Sequence, residues 1–252
     1  MMFFFYSLGN LFASHCAMIK LILFDIDGTM IRSAGAGSMA FGRAFGTLFN
    51  LPEGASLLDF AGRTDTSLLK EFLDHHSIEA TENLESSFFH VYTHWLGELL
   101  PQVEGVVLPG VFGLLNAFTA HDATVQLGLL TGNTRLAAEV KLRHFDLWGG
   151  FKLGAFGDDH TCRNELASIA ERRAKQVIGD SLLSEEILII GDTPRDVECA
   201  QSIGAQSLAV ATGNFDSATL RNCGATRTVE MLADIRAEEI LRLGARSFSS
   251  SR

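Results

Sequence analysis

Asp25 and Asp27 stand two positions apart in Phe24-Asp25-Ile26-Asp27-Gly28-Thr29-Met30, where an apolar run ends. Carboxylates this close repel one another, and a chain that places both at the end of a buried strand has a cation or a reaction to occupy them. The chemistry that fits is phosphate transfer. Asp-Gly-Thr is also ordinary turn chemistry, so the pair alone leaves a turn or a helix cap open. The stretch before it, Ile19-Lys20-Leu21-Ile22-Leu23-Phe24, is the kind of apolar run that forms a strand buried on both faces. In open α/β sheets, ligands collect beyond the carboxyl ends of such strands.

Further along the chain the pattern repeats. Val125 to Leu130 is apolar and ends in Thr131-Gly132-Asn133; Glu186 to Ile190 ends in Gly191-Asp192-Thr193-Pro194-Arg195-Asp196; Ser207 to Val210 ends in Ala211-Thr212-Gly213. The strands led by Ile19, Val125 and Glu186 thus deliver hydroxyls and carboxylates to one edge of a sheet. Four carboxylates meeting a dianionic phosphate need countercharge. An all-oxygen donor set without Cys or His suits a hard divalent cation, and a phosphate substrate favours Mg²⁺.

This ordered set resembles the haloacid dehalogenase superfamily of phosphohydrolases, over the stretch from Ile19 to Ala225. The resemblance implies an α/β fold, a doubly wound Rossmann-like parallel-sheet core with an inserted helical cap. It implies that Asp25 is the nucleophile that forms an aspartyl-phosphate. Asp27 would be the acid that protonates the leaving alcohol and then the base for water, with Thr29 orienting it. Thr131 would hold the transferred phosphoryl group, helped by the N–H groups of Gly132 and Asn133 at a helix entry; Asn133 as a simple helix cap is the competing reading. Asp25, the backbone carbonyl of Asp27, and Asp192 would hold Mg²⁺, with Asp196 one layer behind.

The departure from the family pattern is the basic residue before the Gly-Asp strand, a Lys in most relatives. The helix carrying Leu166, Ile169, Ala170, Ala174 and Val177 starts near Asn164, and the residue in front of it is Arg163, a permanent cation able to grip carboxylate or phosphate with two N–H groups. Lys152 and Lys175 are the alternatives. The activity implied is that of a Mg²⁺-dependent phosphatase of a small phosphorylated metabolite, similar to phosphoglycolate phosphatases. Asp27 argues against a dehalogenase, whose leaving halide needs no acid. Lys70, the only lysine of the cap, sits mid-helix and argues against Schiff-base phosphonate chemistry. A sugar-phosphate mutase, a pyrophosphatase and a non-catalytic phosphate-binding regulator stay as alternatives.

The elements that position these residues divide the chain into a core, 18–33 and 107–243, and a cap, 34–106, with extensions 1–17 and 244–252. Apolar residues at helical spacing mark helices over Ser38 to Phe49, Asp65 to His76 and Glu82 to Leu100. Ile31 to Gly37 and Glu104 to Pro109 would be the hinges. Gly35-Ala36-Gly37 lacks the setting of a dinucleotide loop. In the cap loop Ala61-Gly62-Arg63-Thr64-Asp65, Thr64 or Asp65 caps the next helix; Arg63 either binds an anionic part of the substrate or plays no part in recognition.

At 252 residues with 47% hydrophobic and 20% charged content, the chain has the make-up of a globular protein. A net charge of −10 argues against nucleic acid and anionic membranes as partners; a monomer or a homodimer is expected. Cys16, Cys162, Cys199 and Cys223 are scattered without pairing motifs, which suits a reducing, cytoplasmic setting. His90 and His94 have a zinc-compatible spacing but no third ligand nearby, so a packed or cap-interface role is the expectation. Met1 to Ala17 holds four Phe and no charged side chain, too short to span a bilayer; Met18 reads as a natural start. Ser247 to Arg252 reads as a disordered tail.

Overall fold

The computed structural model describes residues 18–121 and 125–246. The expectations for 1–17, Cys16 and Ser247 to Arg252 lie outside those residues. The chain runs through β1 (Leu21–Phe24), β2 (Ile31–Arg32), α1 (Ala36–Phe49), α2 (Asp65–His75), α3 (Glu82–Leu99) and β3 (Val106–Val107). It continues through α4 (Val111–His121), β4 (Gln126–Leu130), α5 (Arg135–His144), β5 (Leu153–Ala155), α6 (Arg163–Ile178) and β6 (Ile187–Gly191). The last elements are α7 (Pro194–Ile203), β7 (Gln206–Val210), α8 (Ser217–Asn222), β8 (Arg227–Val229) and α9 (Ala237–Leu241).

Six strands form one sheet in the order β5-β4-β1-β6-β7-β8, and every neighbouring pair is parallel. β1 lies between β4 and β6 and is wholly buried. That position explains its unbroken apolar sequence. Ile22 and Phe24 join the cluster with Leu129, Ile190 and Leu142, while Leu21 and Leu23 join the cluster with Leu166, Ala170 and Ile189. A strand with helices on both faces needs apolar side chains on both, and each such burial is worth about 1.5–3 kcal/mol. No helix of the described residues is long and apolar enough to cross a membrane.

The helical stretch between β2 and β3 has its own apolar cluster. Phe45 stacks on Phe72 with ring centroids 3.6 Å apart, and Phe41 meets Tyr92 at 4.4 Å. Ala137 of α5 is buried in the same cluster, so the insert rests directly on the core helix that follows β4. Within the two segments expected to be hinges, Ile31 pairs with Val107 and Arg32 with Val106, an antiparallel ribbon. Two residues per strand carry too short an alternation to be read from sequence. His90 and His94 lie on the exposed face of α3, not in packing.

Candidate active site

The carboxyl ends of β1, β4 and β6 converge. Asp25 follows β1 and its N–H donates to the Ile190 carbonyl at 2.9 Å; Thr131 follows β4; Asp192 follows β6. One carboxylate oxygen from each of Asp25, Asp192 and Asp196 lies within 4.8 Å of the others. All three residues are buried. Gly28 makes room for this, since a Cβ there would sit 2.4 Å from Asp192 Oδ2, and its φ of +81° suits a residue without one. Burial pushes both Asp25 and Asp192 up from the ordinary carboxylate value; repulsion from Asp196 adds to both, with Asp27 adding at Asp25 and Asp25 adding at Asp192.

Arg163 is the first residue of α6, and its Nη2 lies 3.0 Å from Asp25 Oδ1 and 2.5 Å from Asp196 Oδ1. Burial lowers the affinity of this guanidinium for its proton, but Asp196 and Asp25 outweigh it and hold the group charged. Neither alternative lysine reaches Asp25: Lys175 pairs with Glu171 at 2.8 Å, and Lys152 lines a separate cavity beside Asp159 and Arg173. Asp196 is itself fully engaged, because its Oδ2 accepts from Thr193 N–H at 3.0 Å and from Thr193 Oγ1 at 2.7 Å. It therefore holds Arg163 and the start of α7 together.

Asp27 lies beside Asp25 and opens on a cavity of about 530 Å³ that also reaches Thr131, Asp192, Phe41 and Leu68. Its Oδ2 accepts from Asn133 Nδ2 at 2.8 Å and from Lys141 Nζ at 2.6 Å, and its Oδ1 accepts from Ser33 Oγ at 3.3 Å. Burial pushes its carboxyl group up, but the Lys141 charge and these hydrogen bonds together pull it below the ordinary value. Thr29, expected to orient Asp27, instead donates to Asp192 Oδ1 at 3.1 Å. The hydroxyl faces β6 because Gly28 turns the chain that way.

Asn133 does not cap α5. Thr134 is the residue before that helix, and the Asn133 amide bridges Thr131 Oγ1 at 2.9 Å to Asp27. Gly132 sits where a Cβ would lie 2.0 Å from the Arg63 carbonyl oxygen, so the insert's loop presses on the backbone of this turn. The Arg63 guanidinium, expected on an anionic part of the substrate, is paired with Glu71 and donates to the Ser67 carbonyl at 3.3 Å. Arg63 also lines the cavity that holds Asp25 and Asp27. Thr64, not Asp65, caps α2, accepting from Ser67 N–H at 3.2 Å. Asp65 crosses to the core: its N–H donates to the Gly132 carbonyl at 2.7 Å, and its Oδ2 accepts from Thr134 N–H at 2.8 Å.

Lys141 escaped the sequence reading. The signal was present, since Lys141 falls four residues after Ala137 in the stripe Ala137, Ala138, Leu142 that α5 buries. A charge inside an apolar stripe asks for a partner.

The sheet, the three gathered aspartates and the helical insert give an α/β protein with a cluster of carboxylates at the carboxyl edge of a parallel sheet. The chain belongs to the haloacid dehalogenase-like hydrolase family, whose profile matches residues 22–210, and it is accordingly a hydrolase. None of the curated proteins matches it in sequence. Among solved structures, a hydrolase from Pseudomonas syringae superposes with a TM-score of 0.67 at 22% identity, covering 88% of this chain and 99% of that one. CbbY from Rhodobacter sphaeroides in complex with phosphate gives a TM-score of 0.67 at 20% identity, covering 89% and 99%. A predicted phosphoglycolate phosphatase from Haemophilus somnus 129pt gives 0.64 at 20% identity, covering 86% and 96%. These likenesses establish the fold.

Proposed function

We propose that this hydrolase is a Mg²⁺-dependent phosphatase of a small phosphate monoester, similar to phosphoglycolate phosphatases, working through an aspartyl-phosphate on Asp25. The observation that carries the reading is the pairing at the end of β1: Asp25 against Arg163 at 3.0 Å and Asp27 against Lys141 at 2.6 Å, side by side on one cavity. Two neighbouring carboxylates in different settings can divide nucleophile and acid–base work.

The donor set fits a divalent cation. It is all oxygen, it is buried, and its carboxylates are crowded enough to be pushed toward protonation. Asp25, Asp192 and the backbone carbonyl of Asp27 would hold the ion, with Asp196 behind them. When bound, Mg²⁺ supplies countercharge to the phosphoryl oxygens. The protein's own residues do the rest. Arg163 holds Asp25 in place and opposes the upward push of burial on its carboxyl group, Thr131 and the Gly132 and Asn133 amides receive the phosphoryl group, and Asp27 gives a proton to the leaving oxygen and later takes one from water. The insert, residues 34–106, acts as a cap over the core segments 18–33 and 107–243, shielding the site from bulk water.

A cavity of about 530 Å³ lies in the range of small-molecule sites. The names of the CbbY and phosphoglycolate phosphatase neighbours give the starting panel. Phosphoglycolate, sugar monophosphates, a bisphosphate and pyrophosphate should be assayed for phosphate release with and without EDTA. Release from a monoester that EDTA suppresses supports the reading. Isomerisation without release would favour a mutase, preference for pyrophosphate a pyrophosphatase, and turnover on none of them a phosphate-binding regulator.

A further inference from the structure

Lys141 is buried on α5 among Ala137, Ala138 and Leu142, and the residue is 4% exposed. An ammonium group at such a place is costly unless it is paired and hydrogen-bonded. Lys141 Nζ donates to Asp27 Oδ2 at 2.6 Å and to Asn133 Oδ1 at 2.7 Å. Asn133 returns its Nδ2 to the same Asp27 oxygen at 2.8 Å and to Thr131 Oγ1 at 2.9 Å. The start of α1 closes over the ammonium, since a Cβ on Gly37 would lie 3.4 Å from it. The two buried cations therefore split the β1 pair. Arg163 serves Asp25 and Asp196, and Lys141 serves Asp27. One oxygen of Asp27 is fixed twice, while the other holds only the Ser33 hydroxyl at 3.3 Å and is left to carry a proton toward the cavity.

We propose that Lys141 is a positioning residue for proton delivery: it fixes the Asp27 carboxyl group beside Asp25 and stabilises the carboxylate that remains once the proton has gone to the leaving oxygen. The inference rests on the reading of Asp25 as nucleophile and Asp27 as acid. In that step an Asp25 oxygen bonds to phosphorus, the ester P–O bond breaks with its electron pair on the leaving oxygen, and the Asp27 proton moves to that oxygen. Asp27 is left as a carboxylate against the Lys141 ammonium, a charge-assisted contact strongest at the moment the negative charge forms. Water then attacks phosphorus, its proton returns to Asp27, and Asp25 is released as a carboxylate with inorganic phosphate.

The test compares kcat/KM on two substrates that differ in their need for an acid. An alkyl phosphate leaves as a basic alkoxide unless protonated, whereas 4-nitrophenyl phosphate leaves as a stable anion. Lys141→Met should lose about 10²-fold on the alkyl ester, the scale of a misplaced or weakened acid, and less than about tenfold on the nitrophenyl ester. Lys141→Arg should recover part of the alkyl-ester loss. Should Lys141→Met fail to fold, Lys141→Gln and Lys141→Arg carry the same comparison. Equal losses on the two esters, or no loss on either, would overturn the proposal. Asp27→Asn separates this failure from that of the underlying reading. A selective alkyl-ester loss there, without one at Lys141, sinks the positioning role alone; equal losses at Asp27 sink its assignment as the acid.

Discussion

Arg163 fills a place where the family resemblance leads to the expectation of a lysine, and its two carboxylate partners suit an arginine. The guanidinium lies between Asp25 at 3.0 Å and Asp196 at 2.5 Å, a span that a single ammonium would serve less well. Arg163→Ala should lower kcat by at least about two orders of magnitude, the effect of removing one charge-stabilising group. It should also destabilise the fold by about 3–5 kcal/mol, because two buried carboxylates lose their shared partner. Thermal melts and steady-state kinetics check both, and full activity with Arg163 removed would contradict its role. The placement of Asp25, Thr131, Arg163 and Asp192 was legible in the sequence because each follows a strand or opens a helix whose period announces it. The partner of Thr29 was not, because Asp192 lies 163 residues away and the choice between it and Asp27 depends on a turn in three dimensions. Lys141 stands out as a charge in an apolar stripe, but its partner was hidden for the same reason, being 114 residues distant.

At the scale of elements, the insert is latched to the core through the turn after β4 and the segment after β5. Asp65 N–H meets the Gly132 carbonyl, Asp65 Oδ2 takes the Thr134 N–H, Thr66 Oγ1 donates to the Gly157 carbonyl at 2.6 Å, and Thr64 Oγ1 to the Thr161 carbonyl at 2.9 Å. Gly132→Ala puts a methyl group 2.0 Å from the Arg63 carbonyl. It should therefore push the latch open and cut kcat/KM about 10²-fold, as small displacements at a reacting site do, while leaving the core sheet folded by circular dichroism. Unchanged kinetics would show that the latch does not matter for turnover. Asp65 also carries a pH signature. Burial pushes its carboxyl group up from 3.8 to about 7, against the opposing pull of Lys141 and the Thr134 N–H. The folded state then keeps a proton that the unfolded chain releases, so stability falls as pH rises from about 4 to about 7 and levels off above it. Asp65→Asn keeps an oxygen for Thr134 and removes the titration, so the fall of Tm between pH 4 and pH 7 should be smaller in the variant than in the parent. Identical slopes would contradict the burial of this group. The helices of the insert were readable from their apolar period, but the β2–β3 ribbon and the Asp65 latch were not, since both are fixed by partners outside their own segments.

For the whole molecule, an acidic chain has gathered its carboxylates at one sheet edge and answered them with two buried cations. The net charge is −10, yet the Arg163 and Lys141 side chains, 6% and 5% exposed, are committed to Asp25, Asp27 and Asp196. On the proposed reading, attraction of a phosphate is a local matter. The parallel fold itself followed from four apolar runs that end in polar residues, because a strand covered on both faces cannot hide its composition. The central claim is that Asp25 receives the phosphoryl group, and the direct measurement is to quench the enzyme in acid during turnover, reduce it with borohydride and locate the product by mass spectrometry. The expected result is reduction of an acyl-phosphate at residue 25 to homoserine, dependent on substrate and absent in Asp25→Asn. Continued hydrolysis with residue 25 unmodified, or a trapped phosphoryl group on another side chain, would contradict it.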